Sequence, residues 1–146
     1  MVTLRKIDED NFFPVMHLKV AEAQANFVAP NVWSVAQAWL AGERARPFAI
    51  YDDETLVGFF MASVDLEKNE YDVWRLMIDQ QFQGKGYGRQ ALRLAIDYLK
   101  GEGAKEILLS YEPENETAGK LYASEGFVLT GEVDEGELVA KLVITD

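Results

Sequence analysis

The densest chemistry in the chain lies at Gln83-Gly84-Lys85-Gly86-Tyr87-Gly88, three glycines in five residues between a strand pattern and a helix pattern. Inside a helix start each glycine costs about 1 kcal/mol against alanine, so a plain turn is a poor reason for three of them. Glycines at that junction let the backbone approach a ligand and turn N–H groups outward, where the helix dipole favours an anion. Two familiar phosphate loops do not fit. No Gly-x-x-x-x-Gly-Lys-Ser/Thr string occurs, and the third glycine falls at 88, one short of dinucleotide-binding spacing. Cysteine is absent, which removes thiolate metal sites, disulfides and every Cys nucleophile. One histidine, His17, cannot build a multi-His metal site and, alone on a helix, is a weak candidate base. The remaining acid–base candidates are carboxylates. Asp72 stands in a strand ahead of the glycine loop, Glu22 on the inner edge of the first helix and Glu112 just past a later strand.

The elements that must hold these groups follow from periodicity. Val2–Ile7 alternates as a strand. Asn11 caps a helix from Val15 to about Asn26, and Ser34 caps a second, ending near Gly42, with Val35, Ala36, Trp39 and Leu40 on one stripe. Three strand patterns follow at Pro47–Tyr51, Thr55–Ala62 and Tyr71–Ile78. Alternation in the third puts Asp72, Trp74 and Leu76 on one face. A helix from about Gly86 to Gly101 buries Ala91, Leu92, Ala95, Ile96 and Leu99. Then come a strand at Ile107–Tyr111, a helix capped by Asn115 and closed by Gly126, and two strands around Asp134-Glu135-Gly136. This order predicts an α+β fold in one domain over residues 1–146, a mixed, mostly antiparallel sheet of about seven strands flanked by about four helices. Tyr71–Ile78 and Ile107–Tyr111 are expected as parallel neighbours joined by a right-handed crossover through the helix after Gly88.

Composition bounds the partners. With 14 basic and 25 acidic residues the formal charge is −11, which excludes general binding to a nucleic-acid backbone and leaves room for cationic ligands. The start lacks the apolar core of a signal peptide, and the longest apolar run, Leu56–Val64, is broken by Gly58 and Ser63. A cytoplasmic location without membrane contact is expected, with monomer and homodimer both open.

Gln83-x-x-Gly86-x-Gly88, after a strand ending Leu76-Met77-Ile78, resembles motif A of the GNAT superfamily of acetyl-CoA-dependent N-acetyltransferases. Asn115, Ala118, Leu121-Tyr122 and Gly126-Phe127 resemble motif B of the same family, at the expected distance downstream. Arg75–Asp79, Gln83–Gly88, Leu109–Pro113 and Thr130-Gly131-Glu132 are similar in style to the bacterial spermine/spermidine acetyltransferases. The resemblance implies that acetyl-CoA is the co-substrate, without a metal. Its pyrophosphate is expected on the backbone of Gln83, Gly84, Lys85, Gly86, Tyr87 and Gly88 with Arg89. Its pantetheine arm is expected along Leu76, Met77 and Ile78, which splay from the next strand, with Asn115, Ala118 and Tyr122 lining the same site. The resemblance also makes Tyr122 the general acid for the leaving sulfur and the Met77 N–H an oxyanion donor. Asp72 stands at the offset from Gln83 where some family members carry a catalytic glutamate, with Glu22 and Glu112 as rivals acting through water. Without cysteine, transfer is direct from acetyl-CoA to amine. The expected acceptor is a polyamine, spermine or spermidine, held by Glu22, Asp72 and Glu112 with Glu67 and Glu70 at the rim. A protein lysine or N-terminus, another small amine, and a non-catalytic acetyl-CoA-binding module are the alternatives.

Overall fold

The computed structural model describes residues 1–145. Seven strands form one sheet: β1 (Val2–Lys6), β2 (Ala45–Asp52), β3 (Thr55–Asp65), β4 (Glu70–Ile78), β5 (Glu106–Tyr111), β6 (Val128–Asp134) and β7 (Glu137–Val143). Their order is β1-β2-β3-β4-β5-β7-β6, antiparallel throughout except for β4 and β5. The helices are α1 (Phe12–Met16), α2 (Asn31–Ala41), α3 (Tyr87–Gly101) and α4 (Glu116–Ser124).

Two apolar clusters lie on opposite faces of the sheet. On one face α3 buries Ala91, Leu92, Ala95 and Leu99 against Ile50, Phe60, Val73 and Ile107, with Leu121 and Tyr122 of α4 packed alongside. On the other, Val15 meets Ala49, Phe59, Met61 and Met77. No helix among the described residues is long and apolar enough to cross a membrane.

The parallel pair is where the sheet opens. β4 and β5 meet at a single register point, Asp72↔Leu108, and the rest of β4 runs on without a ladder on that edge. A bulge at Trp74, between Arg75↔Met61 and Val73↔Ala62, adds one residue to β4 opposite β3. The extra residue overturns the simple alternation. Leu76 packs into the cluster under α3, whereas Trp74 packs with Met77 on the opposite face. Asp72, Trp74 and Leu76 therefore do not share a face. On the β3 side the approach is close enough that a Cβ at Gly58 would collide with the Met77 carbonyl.

The N-terminal third differs most from the periodic reading. α1 ends at Met16, and only a 3₁₀ turn, Glu22–Gln24, follows before α2. Asp79 explains the interruption. Its carboxylate accepts Lys19 N–H at 2.8 Å while Gln80 N–H donates to Lys19 carbonyl at 2.6 Å, which straps the segment to the end of β4. Asn11 does not cap α1 through its side chain. It is 7% exposed and spans Asp8 N–H and the Lys6 carbonyl instead. Pro30, not Ser34, precedes α2, and Ser34 is an interior, fully buried residue.

Candidate active site

The gap between β4 and β5 is part of a cleft of about 1610 Å³ whose walls come from both faces of the sheet. On the α3 face it is lined by Gln83, Gly86, Gly88 and Arg89, and by Asn115, Ala118, Leu121 and Tyr122 of the α4 region. On the α2 face Phe27, Val28 and Gln37 contribute, with Trp74 and Arg75 of β4.

At the glycine loop, Gly84 and Gly86 take φ of +78° and +84°, and a Cβ at Gly84 would meet nothing within 4 Å. Glycine is needed there for backbone conformation and not for lack of room. Gly88 has ordinary φ, and a Cβ would lie 3.7 Å from Leu121 Cδ2. The first intrahelical bond of α3 runs from Gln90 N–H to the Gly86 carbonyl, 3.3 Å. The N–H groups of Tyr87, Gly88 and Arg89 thus have no helical acceptor and present the positive end of the α3 dipole. Arg89 adds charge but is tethered: Nη1 donates to Ser124 Oγ (2.7 Å) and to Glu125 Oε2 (2.6 Å), and Arg93 Nε donates to Glu125 Oε1. One carboxylate serves two guanidinium groups, so the corner between α3 and α4 stays positive.

Gln83 Nε2 donates to the Ile78 carbonyl at 3.0 Å and ties the loop to the end of β4. Leu76, Met77 and Ile78 line the cleft along the unpaired edge. Two loop side chains turn elsewhere. The Tyr87 hydroxyl donates to Asp52 Oδ2 at 2.5 Å, and Lys85 Nζ stands 5.8 Å over the Phe82 ring.

Tyr122 belongs to the packed stripe of α4, with ring centroids 5.4 Å from Tyr111 and 6.1 Å from Phe127. Its hydroxyl has no hydrogen-bond partner among the described residues. Burial, with Tyr111 and Glu137 adding to it, pushes the phenol up to about 12. Asp72 sits where the two strands part. Burial first, then the like charge of Glu70, push its carboxyl up to about 6, with Arg44 pulling the other way. A carboxyl of that pKa changes charge near neutrality, the range in which it can take up a proton from a reacting group.

The expected carboxylates divide. Glu70, Asp72 and Glu112 line the cleft, whereas Glu22 is exposed on its 3₁₀ turn outside it, because the helix expected to aim it inward does not form. Glu67 is likewise exposed and outside the lining. His17 is exposed, its Nδ1 2.6 Å from the Phe13 carbonyl.

Three groups of lining residues escape the sequence reading. The β6–β7 hairpin carries Glu132, Asp134, Glu135 and Glu137 to the cleft, so that seven carboxylates face four basic side chains among the described residues. Four acidic residues in the six from 132 to 137 are a visible signal, but they read as a wet turn. Glu137 Oε1 also accepts from Ser110 Oγ at 2.8 Å. The segment before α2 contributes Phe27 and Val28, which no periodicity marks. Arg75 is the third: Nη2 donates to Gln37 Oε1 (2.8 Å), Nη1 to the Trp74 carbonyl (3.0 Å), and buried Nε has no partner among the described residues.

Residues 5–127 match the Acetyltransferase (GNAT) family. The spermine/spermidine N(1)-acetyltransferase of Bacillus subtilis (strain 168) is 30% identical over 146 residues, covering 94% of this chain and 95% of that protein. The spermidine N-acetyltransferase from Vibrio cholerae, solved in complex with CoA and spermine, superposes with a TM-score of 0.78 at 21% identity, over 98% of this chain and 94% of that one. The ribosomal-protein-S18-alanine N-acetyltransferase from Escherichia coli gives 0.75 at 22% identity, over 100% and 96%. These two structures share the fold of this chain across nearly their whole length. The chain belongs to the GNAT family of acetyltransferases and is an acetyl-CoA-dependent acyltransferase.

Proposed function

We propose that this enzyme acetylates a terminal primary amine of a polyamine, spermine or spermidine, directly from acetyl-CoA. The observation that carries the acceptor class is the excess of carboxylates in the cleft, concentrated on β4 and on the β6–β7 hairpin. A ligand with several positive charges gains from each of them, about 0–1 kcal/mol per exposed pair and screened by salt. Relatives support the same class: the curated protein 30% identical to this chain is named for spermine and spermidine.

The anionic end of CoA suits the start of α3, where free N–H groups, two positive-φ glycines and the charge of Arg89 meet. Leu76, Met77 and Ile78 offer an unpaired strand edge to the amide-bearing arm. Acetyl-CoA supplies the acetyl group as a thioester whose carbonyl carbon takes the amine. Asp72, ionised above about pH 6, takes the proton that the nitrogen loses, directly or through one water. Tyr122 keeps its proton at neutral pH and gives it to the departing sulfur, so the C–N bond forms and the C–S bond breaks without free thiolate. With no cysteine in the chain, no thiol stands ready to carry the acetyl group between the two.

The test is a set of kcat/KM values for spermine, spermidine, a simple monoamine, a lysyl peptide and an alanyl N-terminal peptide, each at low and high salt. The polyamines are expected to lead, by a margin that shrinks as salt rises. A peptide in the lead, or a polyamine advantage indifferent to salt, overturns the assignment.

A further inference from the structure

α2 carries its apolar side chains on the wrong side for a helix of an isolated molecule. The face turned to the sheet is small or polar, with Asn31 and Ser34 at 3% and 0% exposure and Val35 and Ala38 half-buried. Val32, Trp33, Trp39 and Leu40 are 59%, 61%, 86% and 86% exposed, and Ala36 between them is exposed as well. At about 100° per residue these five fall within an arc of roughly 120°. A surface helix ordinarily turns such an arc inward.

Charge narrows what can cover it. None of the eleven residues of α2 is charged, in a chain with 25 acidic and 14 basic residues. A membrane-surface helix needs Lys or Arg beside its apolar face, and α2 has none, while a net −11 is repelled by anionic headgroups. A basic protein partner would call for carboxylates around the patch centre, which α2 also lacks. Two copies of this chain have the opposite need. They repel wherever their acidic surfaces meet, so a neutral, tryptophan-bearing patch is the surface across which they can close, matching the charge-poor, aromatic centres of protein interfaces. The five side chains expose on the order of 600 Å² per copy, against roughly 800 Å² per partner in a standard interface. That is enough for a pair of micromolar strength once the rim is added.

The layout of the patch is self-complementary. Ala36 is the sixth of eleven residues and lies mid-arc, with Trp33 on one side and Trp39 and Leu40 on the other. A two-fold axis at Ala36 sets each half of the helix against the opposite half of its copy, and a small residue at the crossing permits close helix packing. We propose that the outer face of α2 joins two copies of this chain about a two-fold axis near Ala36. The pairing abuts the cleft, because Gln37, next to Ala36, holds Arg75 at 2.8 Å.

The absence of cysteine makes the test clean. Sedimentation velocity of the native protein at roughly 100 µM, above the micromolar Kd expected for so small an interface, should show the dimer. Trp39→Glu should raise the dimer dissociation constant at least tenfold, as loss of a central tryptophan does, with an unchanged circular dichroism spectrum because the residue is exposed in the monomer. Ala36→Cys oxidised with diamide should give a disulfide-linked dimer far faster than Lys105→Cys, an exposed control away from α2. Three results overturn the proposal: a native protein that stays monomeric, whether or not vesicles or other proteins capture it; a dimer that Trp39→Glu leaves intact; or a dimer in which Ala36→Cys cross-links no faster than Lys105→Cys.

Discussion

Replacing Asp72 by asparagine is expected to move stability and catalysis in opposite directions. Burial and the neighbouring Glu70 raise this carboxyl from 3.8 to about 6, so the folded protein holds the proton more tightly than the unfolded chain does. Well below 3.8 both states are protonated and the group carries little penalty, and between 3.8 and about 6 the penalty grows because the unfolded chain ionises while the folded protein keeps the proton. As pH rises through about 6 the folded state is left with a poorly solvated charge, and the penalty reaches its full size above that value. A shift of about two pKa units corresponds to ~3 kcal/mol, and discounting for the open, solvated cleft leaves roughly 1–2 kcal/mol. Asparagine has the same shape and no charge. Asp72→Asn should therefore be about 1–2 kcal/mol more stable than the native protein near pH 8, a few degrees in Tm for a chain of this size, and show almost no difference near pH 3. Urea titrations followed by circular dichroism across that pH range measure the difference directly. The same variant should lose on the order of 10²–10⁴ in kcat/KM if Asp72 is the base. A stability gain independent of pH, or a native protein more stable than the variant near pH 8, refutes the account of how the site tunes this carboxyl. A gain of the expected form with full activity retained leaves the electrostatics standing and removes Asp72 from the chemistry.

Four further outcomes follow from the site. Gly86→Val places a β-branched residue at φ +84°, so acetyl-CoA affinity by calorimetry should fall at least tenfold, about 1.4 kcal/mol, and an unchanged affinity in a folded variant refutes the loop as the anion site. Tyr122→Phe deletes a hydroxyl that has no hydrogen-bond partner among the described residues, so kcat should drop on the order of 10²-fold under conditions where chemistry limits, with acetyl-CoA binding kept; full turnover would reduce the residue to packing. Gly58→Ala drives a methyl group into the Met77 carbonyl and should destabilise the fold by about 1–3 kcal/mol in urea, whereas native stability would contradict the close β3–β4 approach. The acid limb of log kcat/KM should steepen by one slope unit below about pH 6, where Asp72 takes up a proton as well as the amine, and Asp72→Asn should lose that break.

Much of the sheet is legible one element at a time. β3, β4 and β5 announce themselves as apolar, β-branched runs, and α3 and α4 by stripes at helical spacing with Gly86 before one and Asn115 before the other. The glycine loop is legible for the same local reason, since φ near +80° at Gly84 and Gly86 is a demand on single residues. Where the pattern misleads, a contact from far along the chain has won. The segment after Met16 has helical spacing, yet Asp79, sixty residues away from Lys19, takes its backbone and holds it as a strap. α2 ends near Gly42 as expected but starts at Asn31, a turn ahead of its expected cap at Ser34, and its Trp39 and Leu40 stand in water, because small residues on its other face fit closer to the sheet.

By itself the sequence determined what kinds of groups are available: a glycine-rich turn ahead of a helix, a carboxylate at Asp72, no thiol, and an acidic surplus. Those are properties of residue type and near spacing, which survive without knowledge of the fold. Only the tertiary structure decided which of them meet. The parting of β4 from β5 after Asp72↔Leu108, the bulge at Trp74 that sends Leu76 to the other face, and the delivery of Glu132 to Glu137 into the cleft all depend on strand pairings between distant segments. So do the raised pKa values of Asp72 and Tyr122, since desolvation is a property of what surrounds a side chain and not of the side chain itself.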